Sequence, residues 1–162
     1  MAGSKVAVLE AIRERLQAAI TGDGNDLSEV KRLKVGSSEE VHGGEANMPY
    51  INLNLLAGTE EANSPNNRYN DDMNIEVVIV CSKLGDHYNN LYKVSDQTGP
   101  LYLLETVLNV LDLNTDGDID NTFGGSVEYI KAFSYTPEYS KECVVFRINI
   151  NLKTKAFIAG GR

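Results

Sequence analysis

Tryptophan is absent from this 162-residue chain, and histidine, cysteine and proline are scarce at two, two and four residues. Each scarcity excludes something. Two cysteines cannot build a disulfide framework or a four-thiolate zinc site. Cys81 closes the apolar run "IEVVIVC" and Cys143 precedes "VVF", so each reads as a small buried hydrophobe in a strand, with a bridge between them left open. His42 in "EVHGGEA" and His87 in "LGDHYNN" stand in no zinc-ligand spacing. They are expected as exposed loop residues, against the alternative of an unfamiliar hydrolase using one of them. A nucleophile elbow, a phosphate-cradling loop with lysine and a dinucleotide fingerprint are all missing. No apolar run approaches 18 residues, the length needed to span a bilayer. In "MAGSKVAVLEAIRERLQ" charges interrupt the apolar residues before a signal-peptide core can form, so the expected site of synthesis and assembly is inside a cell.

Positive charge is also short, at 15 Lys/Arg against 23 Asp/Glu, and it is unevenly spread. Residues 1–45 carry a net −2, residues 46–130 a net −10 and residues 131–162 a net +4. An acidic middle argues against sequence-reading nucleic-acid binding, which needs a basic footprint to release counterions. It is compatible with self-association in which the basic end of one copy meets the acidic belt of another. The bland alternative is a solvated acidic surface. Paired carboxylates such as Glu39–Glu40 and Asp71–Asp72 are expected in loops.

What is present is ordinary for one globular domain covering 1–162: 42% apolar and 23% charged residues, enough for a core without staples. Residues 4–20 place Val6, Leu9, Ile12, Leu16 and Ile20 at helical spacing. A short strand is expected around 30–35. "MPYINLNLLAG" alternates Ile51, Leu53 and Leu55 with asparagines, the period of a strand with one wet face. "TEEANSPNNRYNDD" then reads as a long exposed loop, and "MNIEVVIVCSK" as a central strand. "PLYLLETVLNVLD" predicts a second helix with Pro100 in its first turn and Leu104, Val107, Leu108 and Leu111 facing inward. "GSVEYIKAFSY" and "ECVVFRININLKTKAF" predict two closing strands, the second alternating Phe146, Ile148, Ile150 and Leu152 with polar residues. A flexible tail is expected over 156–162. The element order lacks strict βαβ alternation, so the expected fold is α+β: one domain, a mostly antiparallel or mixed sheet, and two main helices packed on one face.

The stretch "LDLNTDGDID" crowds four aspartates around one glycine. Aligned to a calcium loop, Asp112, Asn114, Asp116, Asp118 and Asp120 occupy ligand positions and Gly117 the required glycine. Position 12, which needs a bidentate glutamate, is Phe123, and no exiting helix follows. An Asx-type turn explains the same composition without metal. The expectation is therefore no metal and no cofactor, with a weak ion site at Asp112, Asn114, Asp116 and Asp118 as the alternative.

Lined up, the N-terminal amphipathic helix, "MPYINLNL", "IEVVIV", "LYLLETVLNVLD", the "NTFGG" turn and "VVFRININLKTKAF" resemble the tail terminator (tail completion) proteins of long-tailed bacteriophages over nearly the whole chain. The loop at 59–72 and the turn at 112–120 have no counterpart in that pattern. The resemblance implies a non-enzymatic virion protein, assembled in the bacterial cytoplasm. Such proteins form a ring, generally a hexamer, that caps the head-proximal end of the tail tube, ends its polymerisation and docks the neck. The implied partners are sister copies, the tube protein and the neck connector. Genomic DNA would pass through the channel without sequence-specific binding, and no membrane is involved. Arg147, Lys153, Lys155 and Arg162 are the candidate inter-subunit contacts. The alternatives are another neck or tube component, or a calcium-dependent module built on the 112–120 loop.

Overall fold

In a computed structural model, the described residues are 4–22, 27–36, 49–63, 68–82, 100–111, 113, 127–139, 143–154 and 157–158. The chain runs α1 (Ser4–Thr21), β1 (Arg32–Val35), β2 (Tyr50–Asn63), β3 (Arg68–Ser82), α2 (Pro100–Val110), β4 (Val127–Tyr139), β5 (Cys143–Thr154) and β6 (Phe157–Ile158). The strands form one mixed sheet in the order β1-β2-β3-β5-β4, with β6 paired to the start of β3. β1 is parallel to β2, and every other pairing is antiparallel. The α+β expectation holds, with two helices against one face of the sheet.

Period-2 alternation decides which side chains meet the helices. Ile51 and Leu53 of β2 share a face with Met73, Ile75, Val77, Ile79 and Cys81 of β3 and with Val144, Phe146, Ile148, Ile150 and Leu152 of β5. Val8, Ile12 and Leu16 of α1, and Leu103, Leu104, Val107 and Leu108 of α2, close over that face, with Leu111 and Leu113 just beyond α2. The inward face expected for α2 is buried, and Leu103 joins it. On α1 the buried stripe is Val8–Ile12–Leu16, whereas Val6 is 65% exposed and Leu9 and Ile20 only partly buried. Both stripes satisfy helical spacing; the one centred on the sheet wins because it removes more apolar area from water. Arg15 Nε donates to the Val110 carbonyl at 3.0 Å, placing a cation at the C-terminal end of α2 and tying the helices together.

Two further expectations change, and the orientation of β1 is new. The polar stretch 59–72 is not an unstructured loop. Its described residues extend β2 and β3 as a hairpin, with Thr59 opposite Asp72 and Asn63 opposite Arg68, past a bulge between Leu56 and Thr59. The apolar pairs Ile51–Ile79 and Leu53–Val77 set the register, and main-chain pairing propagates outward whatever the side chains are. Asp71 and Asp72 therefore belong to a strand. Phe157 and Ile158, expected within the flexible tail 156–162, instead pair with Tyr69 and Arg68. β1 runs parallel to β2, and Gly36 ends it with φ +70°, its N–H donating to the Leu53 carbonyl at 2.8 Å.

The cysteines are both free and buried. Cys81 lies opposite Val144 and Ser82 opposite Cys143, so the two thiols occupy opposite faces of the sheet and cannot bridge. Burial, then the nearby Glu29 and Cys143, push the Cys81 thiol up to about 12. At pH 8 that leaves on the order of one thiolate in ten thousand. Alkylation of the folded protein followed by peptide mass mapping should leave Cys81 unmodified, and unfolding in urea should expose it. Rapid native labelling of Cys81 would contradict its placement.

Candidate assembly surface

The face of the sheet away from the helices is built by the other half of each alternation. Tyr50, Val78, Val80 and Cys143 form a small second apolar cluster at one end, with Val145 packed against it. Asn52, only 2% exposed, stands beside Tyr50 in register with Val78. Towards the other end the face is polar. Asn54 Nδ2 donates to Glu76 Oε1 at 3.3 Å, and Asn151 Nδ2 to Asn74 Oδ1 at 2.6 Å.

The charges on this face are largely closed within the chain. Arg147 sits between two carboxylates: Nε donates to Glu138 Oε1 at 2.9 Å, and Nη1 lies 3.6 Å from Glu76 Oε1. Lys131 Nζ donates to Asp72 Oδ2 at 2.7 Å, and Lys153 Nζ lies 3.9 Å from Asp72 Oδ1. Two of the residues expected between subunits, Arg147 and Lys153, thus hold their own sheet together across strands. Lys155 and Arg162 lie outside the described residues, as do Asp112, Asn114, Asp116, Asp118, Asp120, His42 and His87. Among the described residues no cluster of three or more His, Cys, Asp and Glu is placed to hold a metal ion.

The hydrogen bond from Lys131, followed by the Lys131 and Lys153 charges, holds the Asp72 carboxyl below the usual carboxylate range. A carboxyl lowered on folding contributes stability that is fully present above its unfolded pKa of about 3.9 and is lost as pH falls through the lower folded value. Asp72→Asn should therefore lower the free energy of unfolding measured in urea at pH 6 slightly, by less than about 1 kcal/mol for a pair so open to solvent. The gap should shrink as pH falls below about 4. A gap that widens on acidification would reverse the sign of this contribution.

Among the described residues β4 is the outer strand of the sheet, and its exposure sets it apart. Every residue from 131 to 139 is exposed, on both faces of the strand. Phe133, Tyr135, Pro137 and Tyr139 pair in register with Ile150, Ile148, Phe146 and Val144, whose side chains are core. The same face of the sheet that is dry over β5 is thus wet over β4. Phe133, Tyr135 and Tyr139 are left 37%, 52% and 58% exposed. Single exposed aromatics need no explanation, but three in a row on one edge strand form a surface that another chain would cover at a gain. Sequence reasoning found the strand and missed the surface, because alternation marks a face without saying what covers it. Pro137, tolerated only where its nitrogen needs no ladder partner, was the available signal for an edge.

An open cleft of about 590 Å³ lies between the helices, lined by residues including Arg15, Ala19, Tyr102, Glu105, Thr106 and Asn109. Thr106 Oγ1 donates to the Tyr102 carbonyl one turn back at 2.8 Å, so the hydroxyl is engaged in the helix. No helix among the described residues is long and apolar enough to cross a membrane. The chain matches no protein-family model and no curated protein sequence.

Proposed function

We propose that this protein is a structural virion component, a tail terminator whose copies form a ring on the head-proximal end of a phage tail tube. The observation that carries the assembly reading is β4, a 13-residue edge strand whose residues 131–139 are all exposed and which bears an aromatic row. A closed ring needs unlike patches that meet head to tail. The net −10 of residues 46–130 and the net +4 of residues 131–162 provide opposite signs on one chain. In this reading the ring ends tube growth and presents a platform to the neck connector, and no bond is made or broken.

The polar sheet face is the candidate channel wall. Its Lys131, Arg147 and Lys153 are already bound to carboxylates, so the part of the face over β3, β5 and β4 offers phosphates little to adhere to, and DNA slides past. A strongly positive lumen in an assembled particle would remove that part of the proposal.

The decisive experiment mixes purified protein with tail tubes that have a free end. Solution mass and electron microscopy should show an annulus at one end and tubes that no longer elongate. Protein that remains solitary at every concentration and leaves tube growth unchanged would end the reading.

A further inference from the structure

Which backbone groups of β4 face outward follows from alternation across the sheet. Lys31 N–H donates to the Pro49 carbonyl and Gly36 N–H to the Leu53 carbonyl, both at 2.8 Å, so odd-numbered residues of β2 face β1. Even residues of β2 then bond to β3, odd residues of β3 to β5, and odd residues of β5 to even residues of β4. The backbone groups of Phe133, Tyr135, Pro137 and Tyr139 therefore turn away from β5. Pro137 gives the same answer independently, because a residue without an N–H belongs at a position whose nitrogen points away from the ladder.

We infer that the free protein covers this edge with a second copy of itself, β4 against β4, antiparallel about a two-fold axis at Ser134. The inference rests on β4 as the assembly surface and states what holds it before a tube end is present. Centred on Ser134, Phe133 of each copy faces the partner's Tyr135, and the two outward-facing pairs exchange four N–H···O bonds. Registers centred on Tyr135 or Thr136 push the Pro137 ring against a carbonyl of the other copy. The Ser134 register instead leaves Pro137 opposite the partner's Lys131, where the bulge between Ile130 and Ala132 already interrupts the ladder.

Side chains agree with the backbone. Phe133 meets the partner's Tyr135 twice, which covers the two most central exposed aromatics of the row. On the other face Ala132 meets the partner's Thr136 and the two copies of Ser134 meet each other, so no like charges are opposed. Lys131 and Glu138, the charged residues of the exposed run, are each ion-paired within their own chain, to Asp72 and Arg147. The other sheet edge covers less. β1 is only the four residues Arg32–Val35, its outward-facing Leu33 and Val35 span part of the aromatic row, and Gly36 ends it at φ +70°. The two-fold contact is isologous and does not close a ring. It masks the edge until the tube end competes for it.

Ser134 and its symmetry mate form a pair without mutual hydrogen bonds, about 4.5 Å apart between Cα atoms, a separation that a disulfide spans. With oxidised glutathione added to take up the two electrons and two protons, Ser134→Cys should form a covalent disulfide dimer in dilute solution. Thr136→Cys, equally exposed on the same strand but opposite the partner's Ala132, should give at least ten times less. The buried native thiols do not compete. Sedimentation of the unmodified protein should show the same dimer dissociating on dilution. Equal crosslinking at both positions, or none at Ser134→Cys, overturns the inference, and rings on tube ends in that case leave the terminator reading standing. Strong Ser134→Cys crosslinking with no ring at any tube end supports the dimer and removes the terminator reading.

Discussion

Truncating Ile148 to alanine is expected to lower the free energy of unfolding by about 3 kcal/mol, within the usual range for a fully buried aliphatic side chain. Ile148 is 0% exposed, lies in β5 opposite Val77 of β3 and Tyr135 of β4, and belongs to the cluster beneath the two helices. The loss combines forfeited transfer free energy with the cavity left behind, and strands paired on both sides leave the backbone little freedom to collapse into it. Val6→Ala is the matched control: with Val6 65% exposed, its change should stay within about 0.5 kcal/mol. Urea unfolding of the three proteins measures both. A cost below about 1 kcal/mol at Ile148 would mean that this face of β5 is not the centre of the core.

The second large effect concerns assembly and should spare the fold. Phe133→Lys combined with Tyr135→Lys is expected to leave the melting temperature within a few degrees and to reduce ring yield on tube ends at least tenfold. Both side chains are already exposed, at 37% and 52%, so the separate chain loses little packing. A neighbour that covers the row, however, must bury two ammonium groups without partners. A penalty of about 1.4 kcal/mol per contact already accounts for a factor of ten, and a ring repeats the contact at every subunit. Light scattering and negative-stain microscopy report ring yield, and circular dichroism reports the fold. Undiminished rings from a folded double variant would exclude the aromatic row as an assembly surface.

Much of the architecture was legible because period and burial coincide. "FRININL" alternates so regularly that its inward residues, Phe146, Ile148, Ile150 and Leu152, are all buried in the structure. α2 was legible for the same reason, since Leu103, Leu104, Val107 and Leu108 are its buried aliphatic residues and leave little choice of face. α1 was harder. Its apolar residues form two overlapping stripes, and nothing local says that Val8 turns inward while Val6 stays in water. The 59–72 hairpin was misread because polar side chains say nothing about main-chain pairing, which here continues from the apolar register of the sheet. Arg147 and Lys153 looked like surface cations seeking a neighbour. Only the cross-strand register shows Glu76, Glu138 and Asp72 already beside them.

By itself the sequence determined the α+β class, the two helices, the wet and dry sides of β5, and the charge asymmetry between the middle and the end of the chain. The tertiary structure alone decided that β1 runs parallel, that the two thiols stand on opposite faces, and that β4 is an outer strand. The division has a physical cause. Side-chain periodicity records which face of an element is dry, and it is written within a few consecutive residues. The order of strands in a sheet is set by contacts between residues far apart in the chain. It is that order which leaves Phe133, Tyr135 and Tyr139 exposed.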